Sequence, residues 1–197
     1  IVLGTAQDGP SPAEILTALA NPNNPVVVNL VGLPLQDRPS FFLTLLPKLQ
    51  ELRSKSGRPH WMLVDETHHL LPVDGNPTAP GLMKDLAGMI YVTVHPDHIE
   101  HSILKTVDIV FALGKSPDET LKQYCAAIQQ PAPAATAARL QPGRAIMWNR
   151  ASGETPFVLE IAPSTIERRR HRRKYAEGEL PPEQSFYFRG PAGQLNL

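Results

Sequence analysis

Asp65 and Glu66 are adjacent carboxylates that close a short apolar run, His60-Trp61-Met62-Leu63-Val64. This is the pattern of a buried parallel strand whose carboxyl end delivers one acid to a magnesium shell and the next to an attacking water. On that reading Asp65 holds Mg²⁺ through water and Glu66 is a general base. The competing reading is that both acids open the turn Thr67-His68-His69-Leu70-Leu71-Pro72, where a helix N-terminus favours negative charge. Further on, Met89-Ile90-Tyr91-Val92-Thr93-Val94-His95-Pro96 reads as a second buried strand with a polar tip.

Three segments resemble the HerA/FtsK branch of P-loop ATPases: Leu63 to Leu71, whose acids match a Walker B strand, Val92 to Pro96, and Val107 to Gly114. The resemblance implies an ATP site with Mg²⁺, Asp65 and Glu66 in the roles above, and Thr93 and His95 as the polar sensor that touches the γ-phosphate or orients water. His95 stands where the family commonly has glutamine, which puts efficient turnover in question; the alternative is that His95 caps the helix after Pro96. The tail is similar to the ATPase-like C-terminal region of bacterial proteins that begin with a HAD-type sugar phosphate or phosphoglycolate phosphatase domain. The residues concerned are Arg170-His171-Arg172-Arg173-Lys174-Tyr175-Ala176-Glu177-Gly178-Glu179-Leu180 and Ser185-Phe186-Tyr187-Phe188-Arg189-Gly190. Together these similarities cover nearly the whole chain.

A phosphate cradle of the form Gly-x-x-x-x-Gly-Lys-Ser/Thr is absent from the sequence. Gly114-Lys115-Ser116 imitates its end, but Ile109 replaces the first glycine and Pro117 removes an amide. Ser116-Pro117-Asp118-Glu119 reads instead as a capping box. Because Ile1-Val2-Leu3-Gly4 already reads as a strand, the P-loop is expected upstream, as a partner segment of the same protein. No Asp-x-Asp triplet is present, so the chemistry of a HAD phosphatase would also lie in an attached domain.

Lys and Arg number 19 and Asp and Glu 19, so the net charge is zero and global capture of nucleic acid is not expected. The charge is nonetheless uneven. Arg168, Arg169, Arg170, Arg172, Arg173 and Lys174 form a dense basic block, read as a docking element because no stacking aromatics interleave it. No apolar run approaches the roughly 20 residues that span a bilayer, and Cys125 is the single cysteine. A cytoplasmic protein without intrachain disulfides is the expectation.

Positioning these residues requires an alternation of helices and strands. Ser11-Pro12-Ala13-Glu14 is a capping box that opens a helix to about Ala20. Val26 to Val31 is a strand apolar enough to be buried on both faces, and Phe42, Leu45, Leu46, Leu49 and Leu52 follow at helical spacing. Pro47 lies inside that stretch and either kinks the helix or starts a second one. The expected fold class is α/β, a mostly parallel RecA-like sheet flanked by helices, with Asn29, Asp65, Glu66 and His95 gathered at the carboxyl ends of the strands. The expected organisation is a partial ATPase core over 1–130, an Ala/Pro-rich connection over 131–143, a terminal hairpin over 144–163 with Ser152-Gly153 in its turn, and a basic arm over 164–197.

The histidines offer a rival chemistry. His68 and His69 stand beside the acids, and His95, His98 and His101 recur every third residue, so imidazole and carboxylate ligands for zinc are present. The opposing reading assigns His95 to the strand tip and His98 and His101 to a solvated face. The leading expectation is a chain that binds or hydrolyses ATP with Mg²⁺, joined to a phosphatase domain and assembling as a homo-oligomer. Its alternative is a non-hydrolysing scaffold with an ATPase-like fold. A DNA-translocating motor is a third class, and it requires a ring with a basic inner surface.

Overall fold

Ser11 opens the first helix as its spacing to Glu14 predicts. In this computed structural model, which describes residues 1–21, 23–58, 60–73, 87–134, 140–163, 188–189 and 195–196, the Glu14 amide donates to Ser11 Oγ at 3.3 Å. The Ser11 amide donates back to Glu14 Oε2 at 2.8 Å, which holds the Glu14 carboxyl below its ordinary pKa. Helix α1 (Pro12–Ala20) then buries Ile15. Helix α2 (Arg38–Ser56) runs unbroken through Pro47. Pro47 is exposed, so its missing amide is tolerated without a second helix start. Gly57 closes α2 with φ 64°, donating to the Arg53 carbonyl at 2.8 Å.

The strands form small sheets with helices packed between them, an α/β arrangement. Strands β1 (Val2–Leu3) and β2 (Val27–Val28) pair in parallel, as do β3 (Met62–Val64) and β4 (Met89–Tyr91). Gly4, with φ 85°, ends β1 where a Cβ would come within 2.3 Å of the Asn29 carbonyl oxygen, so a side chain there would push β1 off β2. After the short helix α3 (His101–Leu104) comes β5 (Ile109–Ala112), and then helix α4 (Pro117–Ala127). Strand β5 pairs antiparallel with β6 (Arg144–Asn149), which pairs antiparallel with β7 (Phe157–Glu160). The predicted hairpin is therefore present, and β5 extends it to three strands.

Two expectations need correction. Ser116 stands at the N-cap of α4 with Pro117 following, but its side chain makes no capping hydrogen bond, so the capping box with Glu119 does not form. Pro117, buried and fixed in φ, starts that helix by itself. The parallel strands, moreover, are buried on one face only. In β3 and β4, Leu63 is 66% exposed opposite Ile90 at 44%, whereas Val64 is buried. In β1 and β2 the outward pair is Val2 and Val27. The reason is that α1, α2 and α4 cover the inner face, and among the described residues no element covers the outer one.

Helix α2 divides its apolar face between two clusters. Leu45 and Leu49 pack with Ile15, against Leu3, Val28 and Met62. Phe42, Leu43 and Leu46 join Val64, Leu70, Leu71, Ile99, Ile103, Leu104, Tyr124 and Cys125. Cys125 is buried on α4, its thiol pKa raised by burial, so it acts in packing. A polar staple closes this core. Tyr124 Oη donates to the Leu104 carbonyl at 2.8 Å, while the Arg150 guanidinium donates to the Tyr124 hydroxyl and the Val107 carbonyl. Burial pushes the Tyr124 phenol up to about 12.

The chain divides into two units, Ile1–Ile161 and Ala162–Leu197. In the second, β8 (Phe188–Arg189) pairs antiparallel with β9 (Leu195–Asn196). The basic block 168–174, the rest of the predicted arm and part of the Ala/Pro-rich connection lie outside the described residues. Among the described residues, no helix is long and apolar enough to cross a membrane.

Urea denaturation checks the staple. Arg150→Ala is expected to lower stability by about 2–3 kcal/mol and Tyr124→Phe by about 1 kcal/mol, since charge-assisted hydrogen bonds exceed neutral ones.

Candidate functional site

Parallel pairing places Val64 opposite Tyr91, so β3 and β4 release their chains on the same side. Thr67 joins the two exits. It is fully buried; its amide donates to the Val92 carbonyl at 3.0 Å, and its Oγ1 lies 2.8 Å from the Val64 carbonyl and 3.2 Å from that of Val92. One hydroxyl proton thus serves both strand ends in turn. The Val92 amide completes the junction by donating to the Val64 carbonyl at 2.9 Å.

Asp65 and Glu66 occupy the exposed turn between β3 and Thr67. The Glu66 amide donates to Asp65 Oδ1 at 3.0 Å, which occupies one oxygen of that carboxylate. Glu66 itself has φ 46° and ψ 49°, a left-handed conformation that costs an L-residue about 1–2 kcal/mol. Such strain persists only where neighbours impose it and clusters at functional sites. The 3₁₀ turn Thr67–His69 begins after Glu66, so the two acids end the strand and precede the turn.

On the facing exit, Thr93 is half-buried and His95 exposed. Thr93 Oγ1 accepts the His95 amide at 3.0 Å and lies 3.0 Å from His68 Nδ1. His95 precedes the 3₁₀ turn Pro96–His98, but its side chain makes no capping hydrogen bond, so capping is not its role. Among the described residues, no hydrogen bond or ion pair joins Asp65 or Glu66 directly to Thr93 or His95. The link runs through His68, whose Nδ1 is also 3.6 Å from Glu66 Oε2. Asn29, expected at the same edge, turns back into its own loop, where Oδ1 accepts the Val31 amide at 2.9 Å.

Thr67 is not among the candidate residues read from the sequence, and His68 is expected there only as a metal ligand. A threonine directly after a strand is a signal that a hydroxyl can bond back to a nearby carbonyl. The His68 side chain is 9% exposed. Burial first, and the neighbouring His69 next, push its pKa below the ordinary imidazole value, with Glu66 pulling the other way.

No protein-family model matches the sequence, and no curated protein matches it. Among solved structures, the fold is similar to that of the genome packaging NTPase B204 from Sulfolobus turreted icosahedral virus 2. For its complex with ATP-gammaS the TM-score is 0.53 at 17% identity, over 77% of this chain and 72% of that one. For its complex with AMPPCP the TM-score is 0.54 at 15% identity, over 76% and 72%. At these identities the likeness is one of fold, an α/β fold like that of the P-loop NTPases.

Two measurements follow from the strained turn and the buried imidazole. Glu66→Gly relieves the left-handed strain and is expected to raise stability by about 1 kcal/mol in denaturant titrations, while removing the carboxylate. In an NMR titration His68 is expected to protonate below the ordinary imidazole value of 6.5. With the folded pKa depressed, the unfolded chain takes up protons first as pH falls. The contribution of His68 to stability is therefore complete above 6.5 and is lost as pH drops through the lowered folded value.

Proposed function

We propose that the chain is the Walker B part of an ATPase domain that binds ATP with Mg²⁺ and hydrolyses it. One juxtaposition carries the reading. The carboxylates Asp65 and Glu66 leave β3 beside the polar tip of β4, with Thr67 pinning the two exits together. The similar fold of a packaging NTPase solved with two ATP analogues supports a nucleotide as the ligand.

The residues present fit a hydrated magnesium ion. Mg²⁺ prefers one or two carboxylates and retains several waters, and Asp65 is an exposed carboxylate with one oxygen occupied by the Glu66 amide. Asp65 would hold the ion through water, and the ion would neutralise phosphate charge. Glu66, exposed at the strand exit with its carboxylate 3.6 Å from His68 Nδ1, would accept a proton from the attacking water. Thr93, occupied by His68 and the His95 amide, fixes the backbone of His95, whose exposed ring is the group placed to meet a phosphate oxygen.

Phosphoryl transfer also needs an amide cradle and a lysine, and those fall to an upstream P-loop segment. The outward apolar pairs Val2 with Val27 and Leu63 with Ile90, in two separate sheets, support the presence of covering segments. The finer reading, from sequence resemblance alone, places the domain in the HerA/FtsK branch and attaches it to a HAD-type phosphatase domain whose activity it regulates, with homo-oligomeric assembly.

Calorimetry and phosphate release test the proposal. The 197-residue chain is expected to bind ATP weakly and not turn it over, whereas a longer polypeptide that includes a P-loop does both. In that polypeptide Glu66→Gln keeps ATP binding and loses hydrolysis by about 10²-fold or more, and Asp65→Ala weakens the magnesium-dependent part of binding. A Glu66→Gln protein as active as its parent sinks the assignment.

A further inference from the structure

Four imidazoles converge beside the strand exits, and the proposed nucleotide chemistry uses only one of them. His95 and His98 stack with ring centroids 4.9 Å apart and planes 19° apart. His68 stands perpendicular to His95 at 5.3 Å and 6.4 Å from His98. Asp97 lies between the two exposed histidines in sequence, and the ligand atoms of His95, Asp97 and His98 all fall within 4.8 Å of one another. Two imidazoles bound to one tetrahedral zinc ion at about 2.0–2.1 Å have ring centroids roughly 5 Å apart. The observed separations bracket that value.

We propose that His95, Asp97 and His98 form a zinc site whose fourth position is open to water, with the His68 ring beside it. The donor set, two imidazoles and one carboxylate with a fourth position open, is one that zinc and similar divalent transition metals accept. The neighbouring His68 ring is itself held in place. Its Nδ1 is held by Thr93 Oγ1 at 3.0 Å, which orients the ring in the way that outer hydrogen-bond partners orient histidines at metal sites. The frame is also fixed before metal arrives. The segments around His68 and His98 are stitched by the Val73 amide to the His98 carbonyl at 3.1 Å, and by the Glu100 amide to the Leu71 carbonyl at 2.9 Å. An antiparallel bridge between Pro72 and Ile99 adds to them. Only the exposed side chains of His95, Asp97 and His98 need to draw in, by roughly 1–1.5 Å to reach tetrahedral spacing.

His69 stands against the His68 ring, with centroids 4.1 Å apart, and His101 opens α3 outside the cluster. The site stands on the histidine geometry alone. One consequence rests on the nucleotide reading: zinc on His95 would occupy one ring nitrogen and fix the ring, so zinc should alter His95-dependent turnover.

The test is calorimetry of the untagged full chain with zinc chloride, and cobalt(II) chloride titration followed by visible absorption, both without nucleotide. The expected result is one equivalent bound, with the intense d–d bands of tetrahedral cobalt. His95→Ala, His98→Ala and Asp97→Asn should each weaken zinc by about tenfold or more, because even residues behind metal ligands are worth that much. His101→Ala should bind as the parent does. Since His95, Asp97 and His98 are exposed, their variants keep the fold, which circular dichroism in chelator verifies. No binding, octahedral cobalt spectra, or zinc affinity unchanged in both His95→Ala and His98→Ala would overturn the site. ATP binding by a P-loop-bearing polypeptide is measured separately, so the nucleotide reading and the zinc site can fail independently.

Discussion

The buried hydroxyl of Thr67 is the constraint on which the arrangement depends. Its Oγ1 reaches the last carbonyl of β3 and the carbonyl that follows β4, and its amide takes the second of these as well. A fully buried hydroxyl without partners costs about 1–3 kcal/mol, so the two strand exits are held where those carbonyls can meet it. That forces the chain to turn sharply between Val64 and Thr67. Glu66 absorbs the turn in a left-handed conformation that glycine would adopt without strain. A carboxylate at such a position therefore carries a cost in stability that glycine would not.

Around this junction the polarity is asymmetric. Helices α1, α2 and α4 bury the inner row Leu3, Val28, Met62 and Val64, while the outer row that pairs Val2 with Val27 and Leu63 with Ile90 stays open among the described residues. The junction is therefore backed by a packed core on one side and faces outward with its acids and imidazoles on the other. His68 connects these halves, with its ring nearly buried, one nitrogen on Thr93 and Glu66 within 3.6 Å.

Much of this was legible in the sequence because it follows local rules. The Ser11 and Glu14 capping box, the helical spacing from Phe42 to Leu49, the parallel strand ending at Asp65 and the hairpin turn at Ser152-Gly153 each rest on residues close in the chain. The misreadings came from context. Strands rich in valine and leucine look the same whether one face is covered or two, so the open face was invisible. The Ser116 sequence suits a capping box, yet a proline at the first position starts α4 without the side chain. The approach of His68 to Thr93 spans 25 residues of sequence, and no periodicity encodes it. Asn29 sits at a strand end as expected, but its side chain is captured by its own loop.

The central claim is that the exits of β3 and β4 face the phosphates of a metal-bound nucleotide. The most direct measurement is paramagnetic line broadening in a P-loop-bearing polypeptide, with Mn²⁺ in place of Mg²⁺ and a non-hydrolysable ATP analogue, compared with Mn²⁺ alone. The account predicts that the amides of Asp65, Glu66, Thr93 and His95 broaden first and only when the analogue is present, because the carboxylate and the strand tips lie nearest the ion. Nucleotide-dependent broadening centred elsewhere, with these amides untouched, would contradict it.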